Sequence, residues 1–310
     1  RAPLLKGMGM LACAMALVED AVIVAGGIGG RMLPASAFVA KEALPLVDIP
    51  ALVHLAREAV YAGAKRIHII SSPNKDMSVF LKDNTWLHEK KPELSNEVIL
   101  PFSDVEVQIH IQEIAKGFGD AISCLSGSIS GPFMVLLGDN VLLDNYTTTE
   151  DYEPSSASSM LVESFIQHRL PCVGLAVVED PENYGVVSME GKYVKSIIEK
   201  PNRNEAPSNL VLCGRYIFTN DVFELLEKYD FHSHGELQSI AVQEHWMNNN
   251  GLIGIELRGY EWYDSGAPLP WLKSQIDYAL KRQDMGDELR IWLTQSCLLY
   301  TSDAADEHSW

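Results

Sequence analysis

Positive charge is what this sequence has least of: 24 Lys and Arg stand against 42 Asp and Glu in 310 residues, a formal net charge of −18. A chain so acidic repels nucleic acid and anionic membrane surfaces, so neither is expected as a partner. Any anionic ligand must be held by a few local cations, or a metal ion, against the protein's own field. Cysteine is scarce as well. Cys13, Cys124, Cys172, Cys213 and Cys297 show no metal-ligand spacing, and an odd, scattered set excludes a disulfide framework and fits reduced thiols in a cytoplasm. No apolar run is long enough to span a bilayer. No Ser-His or Cys-His nucleophile arrangement is recognisable. What remains is ordinary globular composition, 47% apolar and 21% charged, at a length that suits one large domain or two small ones.

The two ends read differently from the middle. A basic start followed by a short apolar run to Cys13 mimics a lipoprotein signal. Too few residues separate that cysteine from the first buried strand to form a tether. Met15 is therefore expected as the natural start, with residues 1–14 mis-extended sequence and residues 1–18 together a non-native or disordered extension ahead of the domain. Helical amphipathicity persists to about Leu293. The string from Cys297 to Glu307 then reads as translated adapter sequence, so residues 296–310 are expected to be an artefactual tail.

The chain is organised around Ala21 to Leu46. Ala21-Val22-Ile23-Val24 is a short apolar run ended by glycine, which predicts a strand buried on both faces. Ala25, Gly26, Gly27, Gly29 and Gly30 strip nearly every Cβ from the following turn. Bare backbone can take φ > 0 and aim consecutive N–H groups at one anion. Arg31 follows directly and Lys41 comes after Pro34, two cations that suit a polyphosphate. The dinucleotide fingerprint fails because Met32 stands where its third glycine belongs, and the NTPase P-loop fails because no G-K-[ST] follows. A plain glycine turn among surface charges is the bland alternative.

This stretch resembles the nucleotide-binding signature of the sugar-1-phosphate nucleotidyltransferase family, most closely its prokaryotic UTP–glucose-1-phosphate uridylyltransferases. Their text is G-x-G-T-R-M-L-P-A-T-K-x-x-P-K-E-M-L-P-L-V-D; here it runs from Gly27 through Arg31-Met32-Leu33-Pro34 to Lys41-Glu42 and Asp48. Gly30 replaces Thr, Ala37 the first Lys and Ala40 the Pro.

Downstream, a helix is expected over Pro50–Ala62, strands over Arg66–Ile70 and Val105–Ile111, and a helix with a solvated excursion over Asp76–Leu100. His68 reads as a tolerated strand residue. Strands separated by helices indicate an α/β fold with a Rossmann-like, mostly parallel sheet whose ligands sit at the strands' carboxyl ends. Gln112, past the third strand, precedes Ala115-Lys116-Gly117-Phe118-Gly119-Asp120-Ala121, in which Asp120 is expected to cap a helix. The family text there is Q-x-x-A-K-G-L-G-H-A, and the resemblance implies that Gln112 and Gly117 read a uracil, the amide offering a donor and an acceptor. Phe133–Leu137 reads as a buried strand ending in Gly138-Asp139-Asn140, where an α/β protein places a metal ligand. The polar stretch Asp144–Ser159 is expected to be a mobile loop.

The second half shows further strands at Cys172–Val178, Asn183–Val187 and Val194–Ile198. By resemblance, Tyr184, Gly185, Glu199 and Lys200 belong to a sugar pocket, together with Asn209 of the run Ala206–Tyr216. Gly235-Glu236-Leu237-Gln238 matches the family's G-E-I-Q, and Asp264 in Trp262–Gly266 matches the acid that completes a magnesium site with Asp139. The resemblance thus implies one nucleotidyltransferase domain over residues 19–295 with a sugar-binding second half. The expected reaction joins UTP to glucose 1-phosphate with Mg²⁺, and Arg31, Lys41, Asp139 and Lys200 are the catalytic residues. Glu42 joins the nucleotide-binding set. dTTP, another sugar 1-phosphate, or a non-catalytic nucleotide-sugar sensor are the rival readings. A cytoplasmic homo-oligomer, dimer or tetramer, is expected.

Overall fold

The computed structural model describes residues 18–228 and 240–306, with side chains described up to residue 296. The strands in chain order are β1 (Asp20–Val24), β2 (Pro45–Leu46), β3 (Ile49–Pro50), β4 (Arg66–Ser71), β5 (Glu106–Ile111), β6 (Phe133–Leu137) and β7 (Asn140–Leu143). The second half adds β8 (Cys172–Val177), β9 (Gly185–Glu190), β10 (Tyr193–Glu199), β11 (Leu210–Phe218), β12 (Ile253–Glu256) and β13 (Glu261–Asp264). Nine of them form one sheet in the order β5-β4-β1-β6-β11-β8-β12-β10-β9. The first four are parallel, with Val22 opposite both His68 and Val135. From β11 onward the sheet is largely antiparallel, so it is mixed, with parallel order concentrated in the first half of the chain.

The continuous apolar run of β1 follows from burial on two sides. Ala21 and Ile23 pack with Leu52 and Leu55 of the helix Ala51–Tyr61, while Val22 packs on the other face with Ala121 and Ile122. Parallel strands covered on both faces do not alternate polar and apolar residues. His68 is completely buried but not idle: its ring nitrogens face Asp20 Oδ1 at 3.1 Å and His110 Nε2 at 3.0 Å. Arg215 of β11 donates two hydrogen bonds to Glu58 at 2.8 Å each, both side chains sealed from solvent, and Ser158 Oγ adds a third at 2.6 Å.

Several local expectations need correction. Residues 76–100 hold two 3-10 turns, Ser78–Leu81 and Thr85–Glu89, and only a four-residue helix, Asn96–Ile99. The 144–159 stretch is not a free loop. Thr147, Thr149 and Ser155 are buried, Thr147 Oγ1 accepts from Glu153 N and donates to Asp151 O, and the next helix already starts at Ala157. Asp120 does not cap the helix Phe118–Ser123; Gly117, at φ 110°, occupies the cap position and makes no side-chain bond. The last helix runs as backbone from Gly286 to Asp306, past the fade expected at Leu293. The Gly235–Gln238 motif, Cys13 and Met15 lie outside the described residues.

Candidate active site

The glycine turn leaves β1 at the carboxyl end of the parallel strands. Ala25 N–H donates to Ile70 O at 2.8 Å, which continues the ladder by one residue before the chain turns away. Gly29 sits at φ 71°, a left-handed conformation that L side chains rarely adopt. At Gly26 a Cβ would lie 2.8 Å from Gln112 Oε1, so bare backbone is required there by close approach. At Gly30, where the family signature has Thr, an added Cβ would meet nothing within 4 Å.

β6 delivers Asp139 from its carboxyl end. The short antiparallel ribbon β7–β13 sets Asp264 opposite Asn140, and so beside Asp139, although 125 residues separate the two acids in the chain. Both carboxylates crowd the same point: a Cβ built on Gly266 would be 2.9 Å from Asp264 Oδ1, 3.2 Å from Asp139 Oδ2 and 2.8 Å from Arg31 Nη2. The two carboxylates therefore face the same small volume. Lys41 Nζ forms an ion pair with Asp139 Oδ2, and Asp139 Oδ1 accepts from Asn140 Nδ2 at 3.2 Å. Asn140 is itself fixed by Trp262 Nε1 at 2.7 Å. Burial raises the pKa of Asp264, the Asp139 charge raises it further, and the Gly266 N–H bond, Arg31 and Lys41 oppose the rise only in part. The two acids thus share one partly buried spot with two cations, Lys41 and Arg31.

From this point the site opens two ways. Toward the second half, a cavity of about 510 Å³ is lined by Asp139, Asp264, Arg31, Tyr184, Glu199 and Lys200, among others. Gly185 is opposite Glu199 across the β9–β10 pair, and a Cβ there would lie 3.2 Å from Glu199 Oε2. Lys200 has φ 44°, its N–H donates to Tyr184 O at 2.9 Å, and its side chain stands largely in solvent, 3.7 Å from Glu199. Tyr184 and Trp262 rings meet at 5.0 Å, forming an aromatic wall.

Toward the first half, a trough of about 290 Å³ runs from Lys41 and Asp139 past Gly27 to Gln112 and Gly117. The expectation that Gln112 offers both a donor and an acceptor is corrected here. Its Nε2 donates to Asp120 Oδ2 at 2.7 Å and to Gly117 O at 3.2 Å, which uses both amide hydrogens. Only Oε1 is left.

A sequence profile described as nucleotidyl transferase matches residues 20–279, most of the chain. The chain belongs to the nucleotidyl transferase family. It is 29% identical over 295 residues to a UTP–glucose-1-phosphate uridylyltransferase 2 of Streptococcus pyogenes, covering 91% of this chain and 97% of that protein. It is 30% identical over 292 residues to the UTP–glucose-1-phosphate uridylyltransferase of Streptococcus pneumoniae, covering 90% and 96%. Among solved structures, a UDP-glucose pyrophosphorylase from Acinetobacter baumannii superimposes with a TM-score of 0.76 at 26% identity, covering 90% of this chain and 99% of that one. A UTP-bound enzyme from the same organism gives 0.76 at 25% identity with the same coverage.

Placed on this nucleotidyl transferase, the expected site residues divide. Arg31, Lys41, Asp139 and Asp264 converge, with Gln112 and Gly117 at one end and Tyr184, Gly185, Glu199 and Lys200 at the other. Asn209 does not join them; it is exposed just before β11, its carbonyl accepting from Val178 N–H at 3.0 Å, and does not line the cavity that holds Tyr184 and Glu199. Glu42 lies beneath the glycine turn rather than in either cavity, fully buried, with its pKa raised by desolvation against the pull of Lys75 and Lys41. Lys75 was missed by sequence reasoning. Its ammonium donates to Glu42 Oε2 at 2.8 Å and to Ala25 O at 2.7 Å, tying the glycine turn to the loop after β4. Nothing in the sequence distinguishes it from other loop lysines, because its partners become neighbours only when β1 and β4 pair.

Proposed function

We infer that this protein transfers a uridylyl group from UTP to glucose 1-phosphate, giving UDP-glucose and pyrophosphate. The observation that carries the reading is the convergence of Arg31, Lys41, Asp139 and Asp264 at one point, where a base-sized trough meets a sugar-sized cavity. The nucleophile needs no activation by the protein, since a phosphate monoester with a second pKa of about 6 is already largely dianionic at neutral pH. The work left is positioning and charge neutralisation for in-line displacement at the α-phosphorus. Lys41 faces the phosphate chain, Arg31 the departing pyrophosphate, and Lys200 the attacking sugar phosphate. Tyr184, Gly185 and Glu199 shape the sugar side, with Glu199 accepting hydrogen bonds from sugar hydroxyls.

Asp139 and Asp264 suit a divalent cation, and we assign them to Mg²⁺. The two carboxylates face one small volume, and Mg²⁺ is characteristically held by one or two carboxylates with water and substrate phosphates completing its shell. When bound, the ion supplies charge neutralisation at the phosphates. The described residues contain no helix long and apolar enough to cross a membrane. We place the enzyme in the cytoplasm as a homo-oligomer, dimer or tetramer; Ile109 and Ile111, exposed on the edge strand β5, support self-association.

Pyrophosphate release measured with UTP, dTTP, CTP, ATP and GTP against several sugar 1-phosphates tests the reading. UTP with glucose 1-phosphate is expected to be best. dTTP, whose base differs by one methyl group and whose sugar lacks the 2′-hydroxyl, is expected to follow, the methyl alone being worth about 10–200-fold. A preference for ATP or GTP, or no turnover with any pair, overturns it.

A further inference from the structure

Gln112 is often-used chemistry in an unusual state. Its amide carries two N–H donors and one carbonyl acceptor. Asp120 Oδ2 at 2.7 Å and Gly117 O at 3.2 Å accept the two donors. The reversed amide would set Oε1 against those same two acceptors, so the partners fix the orientation. Gln112 is 5% exposed, and its backbone is tied down as well, with its N–H donating to Ser71 O at 2.8 Å. Its Oε1 has no hydrogen-bond partner among the described residues, yet it is not sealed from solvent. It lies against the bare Gly26 backbone, and Gln112 lines the trough that leads to Lys41 and Asp139.

We propose that Asp120 is a positioning residue for base selection: by holding one N–H of Gln112 while the Gly117 carbonyl holds the other, it makes the site an acceptor only. This rests on the uridylyl-transfer reading above. Uracil carries an N–H at ring position 3, which an acceptor-only amide receives. Cytosine carries a bare nitrogen there, and two acceptors face each other. Thymine keeps the N–H, so Asp120 separates UTP from CTP and leaves dTTP to steric closeness. The helix Phe118–Ser123 places Asp120 in its first turn, where its side chain can reach back to Gln112.

The test compares kcat/KM for UTP and CTP, at saturating glucose 1-phosphate, in the wild type, Asp120→Ala and Asp120→Asn. With Asp120→Ala only the weaker Gly117 carbonyl contact opposes the reversed amide, so the amide can turn end for end and present N–H to cytosine. The UTP-to-CTP ratio is expected to fall about 10-fold, the worth of one hydrogen bond made rather than opposed, while the KM for glucose 1-phosphate stays put. Asp120→Asn, whose carbonyl accepts the same bond, is expected to keep the ratio. A purely structural Asp120 would lower both nucleotides together and leave the ratio intact, and that result overturns the proposal. Should Asp120→Ala not fold, calorimetric binding of UMP and CMP to Asp120→Ser gives the same comparison. A wild type that prefers purine nucleotides would sink the base assignment itself, an outcome distinct from an unmoved ratio in a UTP-selective enzyme.

Discussion

Gly266→Ala isolates the charge cluster from the rest of the molecule. The new methyl would arrive 2.8 Å from Arg31 Nη2, 2.9 Å from Asp264 Oδ1 and 3.2 Å from Asp139 Oδ2. Ordinary van der Waals separation is about 3.5 Å, so these tips must retreat by roughly half an ångström. All three are ends of flexible side chains and Gly266 has no left-handed φ, so the fold should tolerate the change within about 1 kcal/mol. The chemistry should not. Misplacement on the scale of 1 Å costs about 100-fold in a reaction that depends on positioning, which puts the expected loss in kcat/KM at roughly 10- to 100-fold. Gly138→Ala is the control for overpacking: its methyl would meet the Val24 carbonyl at 2.7 Å and Glu42 Cγ at 2.8 Å. Backbone cannot step aside, so about 1–3 kcal/mol of stability should be lost there. Pyrophosphate release and thermal unfolding on both variants decide the matter. Full activity in Gly266→Ala, or a stability loss equal to that of Gly138→Ala, refutes the reasoning.

Lys200→Ala should raise the KM for glucose 1-phosphate by roughly 10-fold or more, the range for a charge-assisted bond, and leave the KM for UTP in place; equal losses would remove Lys200 from the sugar side. Lys75→Met strands the buried Glu42 carboxylate, and removing one partner of such a pair costs about 3–5 kcal/mol. Denaturant titration should show that loss, and a near-neutral result would mean that Glu42 is uncharged beneath the glycine turn. His54 is held far below its usual pKa of 6.5, at about 3, first by burial and then by Arg282. The unfolded chain binds the proton and the folded one does not, so stability is full above 6.5 and declines as pH falls toward 3. His54→Phe should flatten that part of the stability–pH curve, measured by denaturant midpoints between pH 7 and 4; an unchanged slope assigns it to other groups.

The nucleotide half was legible because its signals are local. A glycine cluster after a four-residue apolar run, and an acid after Phe133–Leu137, each announce a strand end from neighbouring residues alone. The second half was readable only as isolated strands, since the antiparallel insertion of β11 between β6 and β8 depends on contacts far apart in the chain. Polar stretches misled for a related reason. The Ser/Thr-rich 144–159 segment looks solvated, yet Tyr278 from the helix Pro268–Lys281 reaches the Thr147 carbonyl at 3.0 Å and helps bury it. Asp120 shows the same limit at the site: a carboxylate near a helix start reads as a cap, and only the fold brings Gln112 within its reach.

The sealed Arg215–Glu58 pair has a mechanical meaning. Glu58 belongs to the helix against β1, and Arg215 to the strand that carries the sheet into the sugar half, directly after Gly214 in the wall of the sugar-side cavity. Opening a hinge between the halves would pull a bidentate ion pair apart in a medium without water and break the β6–β11 ladder along with it. The two substrates therefore meet over a stiff common floor. Whatever gives way to admit them and release pyrophosphate must be superficial: the glycine turn, the β9–β10 edge and the exposed arm of Lys200.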